Sequence, residues 1–157
     1  MTDTPALQDP RLAEFEHEVV RHGRVGSLEE AAELRGVEPS AVIKTIVVRR
    51  AEGDYVFVLV PGHRVIDWPK LREVLGERRL SMPDADEAFE VTGYVRGTIT
   101  PFGSKNPWPV IADERLPDRR ISIGGGAHGV SISAEGADVI RVLGATAADV
   151  TKDQTSG

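Results

Sequence analysis

Ala41-Val42-Ile43-Lys44-Thr45-Ile46-Val47-Val48 sets one lysine inside an otherwise aliphatic and β-branched run. β-Branched side chains suit a pleated, half-buried surface, so Thr45 to Arg50 predicts a strand. Glu52-Gly53-Asp54 supplies turn residues, and Tyr55 to Val60 predicts the antiparallel return. The lysine is the anomaly. Lysine is seldom fully buried unless it is paired or functional. The competing reading is a side chain that snorkels from the end of an element. The run alone leaves both open.

Upstream, Glu38-Pro39-Ser40 predicts a short helix carrying Ala41 to Ile43. Ser27-Leu28-Glu29-Glu30 is a capping box that opens a helix ending at Gly36. Asp9 as cap, Pro10 at the first position and Gly23 as terminator predict a first helix with Leu12, Phe15 and Val19 on one face. Downstream, Asp67 caps a helix through Leu75, and Pro83 to Val91 reads as another. Short strands are expected at Arg79 to Met82, Pro109 to Ala112, Arg120 to Ile123 and Val130 to Ser133. Ser133 is expected to cap a last helix, Ala134 to Leu143, closed by Gly144. Helices and strands mix without regular βαβ alternation. The expectation is an α+β fold in a single domain over residues 1–157, with a mixed or antiparallel β-sheet or partial barrel surrounded by helices. Residues 1–24 form its N-terminal helical segment, and 151–157 a frayed tail.

Composition excludes several chemistries. The 157-residue chain has no cysteine, which removes disulfides, thiolate catalysis and zinc sites built on sulfur. Its four histidines form no HExxH or HxxxH pair, so no metal is expected. No apolar run reaches membrane-spanning length, and the first residues lack a signal-peptide pattern. A soluble, cytoplasmic protein with no membrane partner is expected. The net charge of -6 argues against broad nucleic-acid binding but permits a local basic patch. Arg49-Arg50, Arg78-Arg79 and Arg119-Arg120 are candidates.

Gly124-Gly125-Gly126-Ala127-His128-Gly129 satisfies G-x-G-x-x-G in letters only. A dinucleotide fingerprint needs a helix after it, and Val130-Ser131-Ile132-Ser133 alternates as a strand does. The segment reads as strand-turn-strand. Its glycines either turn the chain or expose backbone N–H groups to a ligand. Asp84, Asp86 and Glu87 suit the start of a helix better than chemistry. Tyr94 reads as a core anchor, and no G-x-S-x-G elbow or Walker A sequence exists.

Taken in order, the segments resemble the YbaK/ProX/EbsC family of aminoacyl-tRNA deacylases, which includes the editing domain of bacterial prolyl-tRNA synthetase. The resemblance runs from about Val25 to Val150. It rests on Ala31-Ala32 to Gly36, Ile43-Lys44-Thr45, Val60-Pro61, Asp67 to Leu75, Thr92-Gly93-Tyr94, Gly97-x-x-x-Pro101-Phe102-Gly103, Pro109 to Asp113 and Gly124-Gly125. It implies a trans-editing enzyme that hydrolyses the ester of a mischarged small amino acid at the acceptor end of a tRNA, proline tRNA first, with a prolyl-tRNA synthetase as a possible associate and no cofactor. Lys44 is implied as the catalytic residue, acting as a cation that positions the substrate or stabilises developing charge. Thr45, Gly97, Pro101, Gly124, Gly125, Gly126 and His128 are implied to bind substrate. No protein nucleophile is implied; backbone groups and a substrate hydroxyl serve instead. Lys44 is expected to line a cavity bounded by Gly97 to Pro101 and Gly124 to Gly126. Arg49, Arg50, Arg96 and Lys105 are expected at one mouth of it. Two alternatives stand beside the enzyme: a non-catalytic module holding a tRNA end or an aminoacyl-adenosine-like ligand, and a hydrolase of another small aminoacyl ester.

Overall fold

The protein is described by a computed structural model covering residues 4–23 and 25–154. The lysine run becomes strand β2 (Lys44–Ala51), and β3 (Asp54–Val60) returns antiparallel to it. In chain order the other strands are β1 (His17–Arg21), β4 (Arg64–Ile66), β5 (Val110–Asp113), β6 (Arg120–Ala127), β7 (Val130–Glu135), β8 (Thr146–Ala148) and β9 (Thr151–Asp153). The central sheet has the order β2-β3-β5-β8, with β5 parallel to both β3 and β8. A second, antiparallel sheet has the order β1-β7-β6, and β4 pairs with β9. Among the described residues the sheets stay open, so the fold is α+β and not a closed barrel.

Strand β3 explains its own unbroken apolar sequence. Tyr55, Phe57 and Leu59 enter one core cluster with Ile121, Ile123 and Phe102. Val56, Val58 and Val60 enter another with Ile66, Leu71 and Val150. A strand covered on both faces has no need of polar alternation. The first cluster fills the space toward β6 and β7; the second lies beneath helix α2 (Trp68–Leu75). The two larger sheets meet where the Ile43 N–H donates to the Ser122 carbonyl at 2.8 Å. That contact carries the start of β2 to the flank of β6.

Helix ends follow the sequence signals closely. The Ser27 hydroxyl accepts from the Glu30 N–H to open α1 (Leu28–Arg35), and Gly36 ends it at φ 71°. Asp67 caps α2, and Asp84 caps α3 (Ala85–Thr92). The last helix, α4 (Gly136–Leu143), begins later than expected. Ser133 and Ala134 belong to β7, where the Ser133 hydroxyl donates to the Arg35 carbonyl instead of capping.

Three other expectations are corrected. The proposed helix from Pro10 to Gly23 is two 3₁₀ turns, Ala6–Gln8 and Pro10–Glu14, followed by β1. The Leu12, Phe15, Val19 spacing fits a helix, yet Val19-Val20 pairs with Ile132 and Ser131, giving the β7 edge its ladder partner. Arg79 to Met82 is not a strand; it contributes a single bridge, Ser81 to Arg49. Residues 151–153 are not frayed. Thr151 is fully buried, and its hydroxyl donates to Asp113 at 2.6 Å and accepts from Arg64 at 2.6 Å. Residues 155–157 lie outside the described residues.

The first 3₁₀ turns strap the loop that follows α3. Asp9 caps its own turn by accepting from the Arg11 N–H at 2.9 Å, and it also takes the Gly103 N–H at 2.8 Å. Arg11 sits over the Phe102 ring, 5.6 Å from its centroid. Burial pushes the Asp9 carboxyl up, but hydrogen bonds from Arg11 and Gly103 outweigh it, and the group lies below its ordinary value. A depressed carboxyl contributes stability above the unfolded pKa of about 3.9 and loses it as pH falls. Asp9→Ala is therefore expected to cost about 1–2 kcal/mol at neutral pH. The gap to the parent should close in acid. Paired thermal melts at neutral and acid pH check this; a constant gap would remove the carboxylate from the strap.

Candidate functional site

A concavity that gathers residues implied by the sequence lies where the β6–β7 hairpin meets the loop after α3. The hairpin loses register between Gly124 and Ala127, and Gly126 and Gly129 take positive φ. The His22 N–H donates to the Gly129 carbonyl at 2.9 Å, tying β1 to the turn. Across from it, the Thr98 N–H and hydroxyl both donate to the Val95 carbonyl, at 3.0 and 2.8 Å. This turn holds Gly97 at φ 90° against His128, whose Cε1 would lie 3.2 Å from a Cβ at Gly97. A cleft of about 660 Å³ results, lined by Gly97, Thr98, Gly124, His128, Arg35 and His22 among others.

Three of the residues implied by sequence, Gly97, Gly124 and His128, thus share one cleft. The others stand around it. Pro101 is buried behind the loop, its carbonyl accepting from Arg11. Gly126 faces the Tyr94 ring. The Tyr94 hydroxyl donates to the Phe102 carbonyl at 2.7 Å, and burial, aided by the Asp9 charge, pushes its pKa up to about 12. Tyr94 is accordingly a core anchor. Gly125 offers no open approach to ligand: a Cβ there would meet Val130 Cγ1 at 2.6 Å and Val130 backbone at 3.0 Å. Its carbonyl accepts from the Thr4 hydroxyl. Gly125→Val is expected to lower stability by about 1–3 kcal/mol through overpacking. Thermal melts with activity per folded molecule test this; an unchanged melt would mean the hairpin relaxes around the new side chain.

Lys44 and Thr45 lie at the start of β2 and diverge by strand alternation. Lys44 pairs with Val60, whose side chain faces the α2 cluster; Thr45 pairs with Leu59, which faces the hairpin. Lys44 does not line the Gly97–His128 cleft. Its Nζ donates to the Arg64 carbonyl at 2.6 Å, and burial holds its pKa below the ordinary lysine value. No carboxylate pairs with it among the described residues. The Thr45 hydroxyl is buried and has no hydrogen-bond partner.

Arg35 and His22 are residues that sequence reasoning passed over. Arg35 Nε donates to His22 Nε2 at 3.3 Å, and burial lowers the Arg35 pKa. The sole cue in sequence was the place of Arg35 in the last turn before Gly36. The four basic residues expected at one mouth are dispersed. Arg49 and Arg50 border a groove at the far end of β2, Arg96 is exposed, and Lys105 borders a depression with Tyr55 and Trp108. Among the described residues no histidine or carboxylate cluster has a metal-binding arrangement, and no helix is long and apolar enough to cross a membrane.

The sequence profile of the aminoacyl-tRNA editing domain matches residues 22–142. A proline–tRNA ligase of Thermosipho melanesiensis is 31% identical over 126 residues, covering 78% of this chain but 22% of that protein. An Enterococcus faecalis protein, provisionally named the Cys-tRNA(Pro)/Cys-tRNA(Cys) deacylase EbsC, is 27% identical over 126 residues. That alignment covers 80% of this chain and 77% of the relative. The chain therefore spans about a fifth of the ligase and about three quarters of the Enterococcus faecalis protein. A solved structure, provisionally described as a trans-editing enzyme for prolyl tRNA synthetase, superposes with a TM-score of 0.82 at 24% identity. It covers 97% of this chain and 99% of its own, and establishes a shared fold.

Proposed function

The chain belongs to the aminoacyl-tRNA editing domain family, and from that premise we propose that it is an aminoacyl-tRNA deacylase acting in trans. Its substrate is a tRNA, proline tRNA first, mischarged with a small amino acid. The whole chain acts as one editing unit, alone or beside a prolyl-tRNA synthetase. The observation that carries the reading is Lys44. A half-buried cation held by one neutral carbonyl, with no carboxylate paired to it among the described residues, leaves room for an anion from outside. A phosphate at the acceptor end supplies that chemistry, outside the cleft that takes the amino acid.

In this reading the amino acid enters the cleft at Gly97, Gly124 and His128, with Thr45 and Pro101 behind it and Gly125 and Gly126 shaping the turn. Water adds to the ester carbonyl, the ester C–O bond breaks, and the ribose oxygen leaves with a proton. Backbone N–H groups of the Gly97 and Gly124 segments stabilise the tetrahedral oxyanion. One such donor is worth roughly 10²–10³ in rate. As the family resemblance implies, a substrate hydroxyl orients the water, and the lack of cysteine and of a serine elbow agrees with that. The test is a panel of tRNAs charged with alanine, cysteine, serine or proline, run beside free aminoacyl ethyl esters. Hydrolysis of a mischarged proline tRNA with free esters spared is expected. Free esters cleaved equally well would favour a general esterase, and tRNA bound without hydrolysis a binding module.

A further inference from the structure

The groove at the far end of β2 is lined by Arg49, Arg50, Arg72, Arg78, Arg79 and Ser81, among others, and holds about 500 Å³. Five of the chain's 19 lysines and arginines thus meet in one place on a protein of net charge -6, and among the described residues no acidic one lines it. Three separate segments build it. Arg49 and Arg50 end β2, Arg72 projects from α2, and Arg78 and Arg79 come from the stretch before α3. Reciprocal backbone hydrogen bonds between Arg49 and Ser81, at 2.8 and 3.1 Å, fix the last stretch against the sheet.

Two of the five are partly answered. Arg50 pairs with Glu77 at 3.0 Å, and Arg49 approaches Glu87 at 3.5 Å. Arg72, Arg78 and Arg79 have no ion-pair partner among the described residues. Guanidinium groups gathered without counter-charge repel one another, and an anion relieves that cost. Planar guanidinium forks match phosphate oxygens bidentately. The groove is open and its arginines come from three separate segments, which fits a run of backbone phosphates better than a single free ion.

Its position completes the case. Lys44 and Arg49 lie five residues apart on β2, about 17 Å at strand rise. A substrate whose acceptor end meets the Lys44 end of β2 extends beyond it, and its next charged surface is phosphate backbone. We infer that this arginine groove is the docking surface for the phosphate backbone of the tRNA, outside the cleft that holds the amino acid. The inference rests on the editing reading for the identity of the RNA.

The test is Arg72→Gln, Arg78→Gln and Arg79→Gln together, because none of the three supports an ion pair. Binding of uncharged proline tRNA is followed by fluorescence anisotropy across a salt titration, and deacylation is measured on mischarged tRNA and on an aminoacylated CCA trinucleotide. The triple variant should bind tRNA about tenfold or more weakly at low salt, with a salt slope smaller by about one for each phosphate no longer neutralised. KM for tRNA should rise while kcat and trinucleotide hydrolysis hold. Unchanged affinity and slope would overturn the proposal and leave the groove to an acidic protein partner. Equal losses on tRNA and trinucleotide would overturn it too, by placing the effect in the cleft or the fold. If the parent cleaves no mischarged tRNA yet binds tRNA with an arginine-dependent slope, the groove stands and the editing reading fails.

Discussion

Lys44→Ala is expected to lower deacylation of mischarged tRNA by about tenfold or more while the protein stays folded. The side chain is half-buried and makes one hydrogen bond, to the Arg64 carbonyl at 2.6 Å. Its removal takes away a cation that no carboxylate among the described residues pairs with. Retained turnover in a folded variant would remove Lys44 from the mechanism. Burial lowers the Lys44 pKa, so the cation is lost at lower pH than in an ordinary lysine. The enzymatic rate, corrected for spontaneous alkaline ester hydrolysis, should therefore fall as pH rises. Lys44→Arg keeps the charge and should flatten that limb. A limb unchanged in Lys44→Arg would assign it to another group.

Gly97→Val is expected to reduce kcat/KM by about 10²-fold with a smaller effect on stability. Gly97 is held at φ 90°, where a β-branched residue is strained by about 1–3 kcal/mol. A Cβ there also begins 3.2 Å from the His128 ring, so the valine methyls must push the ring or the loop into the cleft. Since Gly97 is exposed, most of the damage falls on the cleft and little on the core. Activity per folded molecule separates the two effects. Full activity in the folded variant would place the chemistry elsewhere.

The hairpin, the capped helices and the glycine turn were legible because each depends on short-range chemistry. Ser27 and Asp67 each signal a cap through one hydroxyl or carboxylate, the acidic residues from Asp84 to Glu87 mark a helix start, and Gly36 ends its helix through its own backbone freedom. Strand β1 was not legible. Leu12, Phe15 and Val19 satisfy a helical period, and only the distant β7 edge decides that Val19-Val20 forms a ladder. Strands β4 and β9 escaped for the same reason: each is three residues long, and they exist only because Arg64–Ile66 and Thr151–Asp153 meet. Gly97 and Gly124 stood out by type and meet in one cleft, whereas Lys44, also an anomaly of type, lies outside that cleft because strand alternation turns it toward α2. For Gly125 the sequence left a tight turn and an approach for ligand side by side, and Val130, which fills the space across the hairpin, favours the turn. Arg35 and the arginine groove are products of tertiary assembly, drawn from segments that share no sequence pattern.

Editing means discrimination, so the decisive measurement is single-turnover release of amino acid from one proline tRNA, charged either with a small non-cognate residue such as alanine or cysteine or with proline. Clearance of a mischarged form about tenfold or more faster than the prolyl form is the expected result. Equal rates on all charged forms, or no release from any of them by folded protein, would contradict it.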